Sequence, residues 1–198
     1  MIKQFLFAVC LLCLFSCHNH TGTAPDAVPV IAPARIDTSF FPVTAYIKGQ
    51  MLQFDSMPVT PLHIITIRDK SDSQWIKREQ LRSFLSSFLE PEITETNLIK
   101  YFTETRFNDQ TVNAITLSYD PIGTLPDSMP LKSWNVYIDP KTGNVTGVFI
   151  VKRTKAGNQS ITQQLTWENN TSAQIVNILN KSDGSGEILN QEKFIWNF

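Results

Sequence analysis

Cysteine is missing from the body of this chain: all three, Cys10, Cys13 and Cys17, lie within the first 17 residues. No disulfide can therefore cross-link the folded part, and no cysteine/histidine metal cluster is spaced along it. Histidine is nearly as scarce, since only His63 lies beyond the N-terminal segment that carries His18 and His20. An excess of positive charge is lacking too. The 17 Lys and Arg stand against 18 Asp and Glu, for a net charge of −1, and loss of Lys3 with a leader would lower it further. Such a balance supplies no field to hold nucleic acid or an anionic lipid surface. No phosphate-binding loop, dinucleotide fingerprint or Gly-x-Ser-x-Gly elbow occurs. Nor is there a run of the roughly 20 apolar residues that a membrane-spanning helix requires. What the chain does have is 42% hydrophobic residues, with 13 Phe and 4 Trp, enough to bury a sizeable core.

The one apolar run, Phe5 to Phe15 behind Lys3, has the length and flanking charge of a cleaved export signal. It ends in Leu14-Phe15-Ser16-Cys17, which resembles the lipobox of bacterial lipoproteins, where a small residue precedes the cysteine. The resemblance implies that residues 1–16 are removed as a signal peptide and that the Cys17 thiol carries palmitate-type acyl chains. It also implies anchorage in a membrane of the cell envelope through that lipid, on the periplasmic side. No aspartate directly follows Cys17, the position that resembles an inner-membrane retention signal, so the outer membrane is the expected destination. A plain secretory signal is the competing reading. Residues 17–37 carry Pro25, Pro29 and Pro33 without helical or strand periodicity, and read as an extended tether of roughly 3 Å per residue. His18 and His20 on such a segment make a poor two-ligand metal site and read as solvated tether.

Residues 38–198 are expected to form a single α+β domain. Thr38 and Ser39 offer helix caps, and Val43, Tyr46, Ile47, Met51 and Phe54 recur at three- and four-residue steps, which predicts a helix between Pro42 and Asp55. Leu62 to Ile67 reads as a strand buried on both faces. A second helix is expected to start at a cap on Asp72 or Ser73, to carry the stripe Leu81, Phe84, Leu85, Phe88 and Leu89, and to stop at Glu90-Pro91. Thereafter polarity alternates. Strands are expected at Ile99–Phe107 and Val112–Tyr119 around a turn at 108–110, at Trp134–Ile138 and Val145–Val151, at Ile161–Trp167, at Ala173–Leu179 and at Ile188–Trp196. Asp139-Pro140-Lys141-Thr142-Gly143 is the clearest turn. Helices first and strands after predict two N-terminal helices packed on a curved antiparallel sheet of about seven strands, a meander open to closing as a partial barrel.

Chemistry is sparse. His63 sits in an apolar strand and reads as a core or edge histidine satisfied locally, although any hydrolase would have to be built on it. Glu104 and Arg106 share a strand face and read as a surface ion pair, with Asp109 in the adjoining turn. Asp120, Asp127 and Asp139 are turn residues, too widely spaced to wrap calcium. Tyr101, Trp134, Tyr137, Trp167 and Trp196 fall in or beside predicted strands. They either fill the core or line a groove for a hydrophobic, glycan or peptide ligand. Tyr137-Ile-Asp-Pro-Lys-Thr-Gly-Asn-Val145 and the strand that follows it to Val151 resemble the hairpin of PepSY-type periplasmic modules, and the resemblance brings no catalytic residue with it. The expected protein is a non-enzymatic envelope lipoprotein without a cofactor, binding a protein or envelope ligand through its sheet. Two other classes remain open: an acyl-chain carrier with a half-open barrel, and a hydrolase centred on His63.

Overall fold

Turn chemistry sets the topology. Between Leu131–Ile138 and Val145–Ala156 the Asp139 carboxylate accepts hydrogen bonds from the backbone N–H of Lys141 at 2.7 Å and of Thr142 at 3.1 Å. Gly143 takes a φ of 72°, a left-handed conformation that costs a Cβ-bearing residue more than it costs glycine. The Asp139 N–H then closes the turn on the Asn144 carbonyl at 2.9 Å, and the expected hairpin is present. The computed structural model describes residues 40–56 and 58–196. The expected signal peptide, lipidated Cys17, tether and caps at Thr38 and Ser39 lie outside the described residues.

Helix α1 (Val43–Ser56) leads into strands β1 (Leu62–Ile67) and β2 (Lys70–Trp75). Helix α2 (Arg78–Phe84) follows, continued by a 3-10 turn over Leu85–Phe88, and then a short helix α3 (Glu95–Leu98). The rest is strand: β3 (Phe102–Asp109), β4 (Ala114–Pro121), β5 (Leu131–Ile138), β6 (Val145–Ala156), β7 (Gln159–Glu168), β8 (Ser172–Asn180) and β9 (Gly186–Ile195). Consecutive strands from β3 to β9 pair antiparallel, and β1 pairs antiparallel with β9. One sheet of nine strands results, in the order β2-β1-β9-β8-β7-β6-β5-β4-β3. The class is α+β, with nine strands where about seven were expected.

The discrepancy centres on residues 70–75. Asp72 or Ser73 was expected to cap a helix, yet Lys70-Ser71-Asp72-Ser73-Gln74-Trp75 forms β2, with Lys70 opposite Ile67 and Trp75 opposite Leu62. A two-residue turn with Arg68 at φ 54° joins it to β1. All six of its residues are exposed, as suits a short, polar edge strand whose ladder overrides weak strand propensity. Helix α2 consequently begins only at Arg78, where the Gln80 Oε1 atom accepts the Lys77 N–H at 2.9 Å. With β2 outside it, β1 is the second strand from the edge, and its residues are half-buried or exposed apart from His63 instead of being buried on both faces. The turn expected at 108–110 falls at 110–113, with Asn113 supplying the positive φ.

Register places the core on one face. Tyr119, Trp134, Ile150, Leu165 and Ile175 lie in one cross-strand row, and Leu117, Val136, Val148, Trp167, Ala173 and Phe194 in the next. All are buried. From α1 come Val43, Ile47, Met51 and Phe54, and from the α2 segment Leu81, Leu85 and Phe88. Phe54 lies 4.8 Å from the Trp196 ring and 6.2 Å from Trp167, Phe88 lies 5.5 Å from Trp167, and Phe40 lies 5.2 Å from Tyr119. Polar bonds fix the same arrangement, since Phe41 N–H donates to the Tyr119 hydroxyl at 3.0 Å and Ile93 N–H to the Thr44 hydroxyl at 2.8 Å.

On the opposite face the strands approach closely at Gly147, where an added Cβ would stand 2.9 Å from the Trp167 carbonyl oxygen. The obstacle is backbone of a paired strand, so relief requires the β6–β7 ladder to shift. Gly147→Ala should lower unfolding free energy by about 1–3 kcal/mol, the overpacking cost exceeding the roughly 0.5–1 kcal/mol gained from a stiffer unfolded chain. Urea denaturation followed by tryptophan fluorescence measures it; a midpoint equal to or above that of the unsubstituted protein would contradict the packing.

Candidate functional site

The core face does not stay apolar along its whole length. Two residues beyond Ile150, Leu165 and Ile175, the same alternation puts Lys152, Gln163 and Asn177 on that face, in register with one another and with Asn190. Helix α2 and its 3-10 turn cover the row of Trp167 and Phe194, through Phe88 and Phe84. The polar row lies at the margin of that cover, and Gln163, Asn177, Asn190 and Glu192 are half-buried.

These side chains form one hydrogen-bonded belt across four strands. Gln163 Nε2 donates to Asn177 Oδ1 at 3.1 Å, Asn177 Nδ2 to Asn190 Oδ1 at 2.8 Å, and Asn190 Nδ2 to Glu192 Oε1 at 3.3 Å. From the other side His63 Nε2 meets Glu192 Oε2 at 3.0 Å. All three carboxamides therefore point their donors toward one carboxylate. Pleat geometry permits this, since side chains on one face of neighbouring strands stand within reach of each other.

At the end of the belt toward β5, Lys152 is 7% exposed and its ammonium donates to the carbonyls of Ser87 and Glu90, where the 3-10 turn ends. Burial pulls its pKa down from 10.5 to about 8, against the upward pull of the Glu90 charge. At the other end His63 is 4% exposed. Its ring stacks on Phe194 at 4.4 Å and lies 4.9 Å from Phe84, while Nδ1 is buried without a partner among the described residues. Glu192 provides the carboxylate that a hydrolase triad would need, but the free ring nitrogen is shut off from solvent and meets no serine hydroxyl among the described residues.

Past the belt, β1, β2 and β9 enclose a cleft of about 880 Å³. Its floor is Ile65, Ile67, Ile188 and Leu189, with Ile67 52% and Ile188 55% exposed, and Arg68 and Lys70 stand at its rim. Acidic Asp69, Asp72 and Glu187 share that rim, and Lys181 pairs with Glu187 at 2.8 Å, holding that carboxyl below its usual range. Cleft and belt are contiguous, because Ile65 stands opposite Glu192 in the β1–β9 register.

The aromatic residues singled out from the sequence do not converge on a ligand surface. Trp134, Trp167 and Trp196 are fully buried, so the core-filling alternative describes them. Tyr119 stacks on Trp134 at 4.5 Å, and Trp167 and Trp196 lie 5.3 Å apart under Phe54. Tyr101 is half-buried with the Lys100 ammonium 4.9 Å from its ring centroid, and Tyr137 is half-buried on the opposite sheet face beside Gly147. Glu104 stands opposite Tyr119, whose pKa is raised first by burial and then by that carboxyl. Arg106 is exposed, and Asp109 accepts the Thr111 N–H at 2.9 Å as an ordinary turn residue. The belt residues are not among the candidates that the sequence offers by residue type, yet they carry a signal: Gln163 shares its strand phase with Leu165 and Trp167, Asn177 with Ala173 and Ile175, and Asn190 with Phe194.

No family model, curated protein or solved structure matches the chain. Among the described residues there is no group of three or more His, Cys, Asp or Glu able to hold a metal ion, and no helix long and apolar enough to cross a membrane.

The buried Lys152 gives a pH signature. Its folded pKa of about 8 lies below the unfolded 10.5, so between these values the unfolded chain binds more protons and stability rises with pH. That gain, on the order of 2 kcal/mol, should appear in urea titrations from pH 8 to 10.5 and be absent in Lys152→Met. Parallel curves for the two proteins would show that Lys152 stays fully charged in the fold.

Proposed function

We propose that this protein is a lipid-anchored, non-enzymatic binding module of the bacterial cell envelope. Cys17 holds it to the membrane and a Pro-rich tether spaces the domain from the surface. The ligand or partner meets the end of the sheet that the helices leave uncovered. The observation that carries this reading is the contrast between a core filled by Trp134, Trp167 and Trp196 and an open cleft floored by exposed Ile67 and Ile188. An acyl-chain carrier would need a deep apolar cavity along the aromatic strands, whereas Phe40, Phe54 and Phe88 occupy that space. The sheet of this module is curved over the helices, with β2 and β3 as its two edges. Resemblance of the 137–151 hairpin to PepSY-type modules agrees with an envelope setting, and a net charge of −1 with a role that involves no nucleic acid.

Anchorage decides between this module and a freely secreted one. Acyl chains contribute about 0.8 kcal/mol per buried methylene, and two or more together hold a protein far more firmly than one. With Cys17→Ser the protein should leave the membrane fraction or persist as uncut precursor, and radiolabelled palmitate should no longer be incorporated. A processed, membrane-bound Cys17→Ser product would overturn the proposal.

A further inference from the structure

The belt has features that a merely solvated sheet margin lacks. Its charged members are already engaged: the Lys152 ammonium is turned onto the carbonyls of Ser87 and Glu90, and each oxygen of Glu192 carries a hydrogen bond, from Asn190 and from His63. What remains on offer is the spare hydrogen-bonding capacity of carboxamides. In each of Gln163, Asn177 and Asn190 one N–H is committed to the chain, which leaves the second amide N–H, and the Gln163 carbonyl oxygen has no partner among the described residues. The chain of bonds locks the three amides in a single orientation, so these free groups are preorganised and little side-chain entropy is lost when a ligand takes them up. Neighbouring strands hold them roughly 4.8 Å apart, about the span of one pyranose ring. Phe84, a partly exposed aromatic ring against His63, stands at one end of the belt, and half-buried Ile161 and Leu179 follow Gln163 and Asn177 on the same face. Neutral groups that both donate and accept, in a fixed row bordered by apolar surface, match hydroxyls on a sugar ring with its C–H faces alongside.

We propose that the belt Gln163, Asn177, Asn190 and Glu192 is a binding floor for a neutral oligosaccharide. Ionic ligands are disfavoured, because the belt has no unengaged charge to offer them. The inference builds on the binding-module reading but does not depend on the membrane anchor, so loss of sugar binding and loss of anchorage are separate results.

The test is isothermal titration calorimetry of the full-length protein as it is expressed, kept in detergent, with maltohexaose, cellohexaose and chitohexaose as neutral probes. Sialyllactose serves as an anionic sugar, and an uncharged peptide of Ser and Gly as a peptide probe. At least one neutral hexasaccharide should bind. Asn177→Leu, which breaks the belt at its middle, should weaken that binding tenfold or more, and Gln163→Met, which removes only its terminal amide, should weaken it several-fold. Ile122→Ser, an exposed side chain just past β4 and far along the strand order from the belt, should leave it within twofold. Thermal melts of each variant establish folding, and Gln163→Met keeps the test decisive if Asn177→Leu does not fold. Failure of all three neutral hexasaccharides to bind at millimolar concentration, tighter binding of sialyllactose or of the peptide, or full binding by a folded Gln163→Met protein would each overturn the proposal.

Discussion

Pairing of β1 with β9 is the contact on which the rest depends. It joins segments far apart in sequence, as the 129-residue separation of His63 and Glu192 shows. Closing so long a stretch costs chain entropy that no local turn offsets. The compensation lies in what the pairing brings together: His63 stacks on Phe194, Phe84 packs against both, and the β1–β2 hairpin gains a neighbour that extends the sheet to nine strands. Without that ladder Glu192 would have no imidazole beside it, and the cleft between β1, β2 and β9 would not exist. The cleft and the most distant strand pairing among the described residues are thus the same place.

A second constraint is the size mismatch between sheet and helices. Strands of up to 12 residues run past a helical segment that contributes only Leu81, Leu85 and Phe88 to the buried core. Where cover ends, apolar side chains give way to groups that can be satisfied at a wet margin. Lys152 marks the line, since its aliphatic stem lies in the buried region while its ammonium terminates the carbonyls of the 3-10 turn. Its depressed pKa reflects the desolvation that comes with this position. Three buried indole N–H groups without partners among the described residues, on Trp134, Trp167 and Trp196, show how far aromatic packing dominates on the covered side. Burying an indole there gains enough apolar area to outweigh one lost hydrogen bond.

Much of this was legible in the residues. Period-two polarity marked β3 to β9, and the Asp139–Gly143 turn announced its hairpin through side-chain and glycine chemistry that acts within five residues. Helix α1 followed from the spacing of Val43, Ile47, Met51 and Phe54. Residues 70–75 misled because Asp72 and Ser73 are good caps in isolation and the segment has no apolar alternation of its own; it is a strand only because β1 lies beside it. The tryptophans were ambiguous for a related reason. Alternation gives the phase of Trp134 and Trp167, but their exposure was settled by what covers that face, Phe40 ahead of α1 over Trp134 and Phe88 of the 3-10 turn over Trp167.

The division follows the range of the forces involved. Backbone dihedral preference, turn hydrogen bonds and side-chain alternation act over a few residues, so strand phase, turn positions, the α1 stripe and the absence of any disulfide framework can be read from the chain itself. Which strand lies beside which, and how far the helices reach, depend on packing summed over the whole molecule. Gln163, Asn177 and Asn190 stand 13 to 14 residues apart along the chain and become one belt only when β7, β8 and β9 pair in register. Glu192 and His63 join them through a ladder that exists only after the first and last strands of the domain have met. Polar residues at core-phase positions are therefore visible in the sequence as individuals, while their union into a single surface is a property of the tertiary fold.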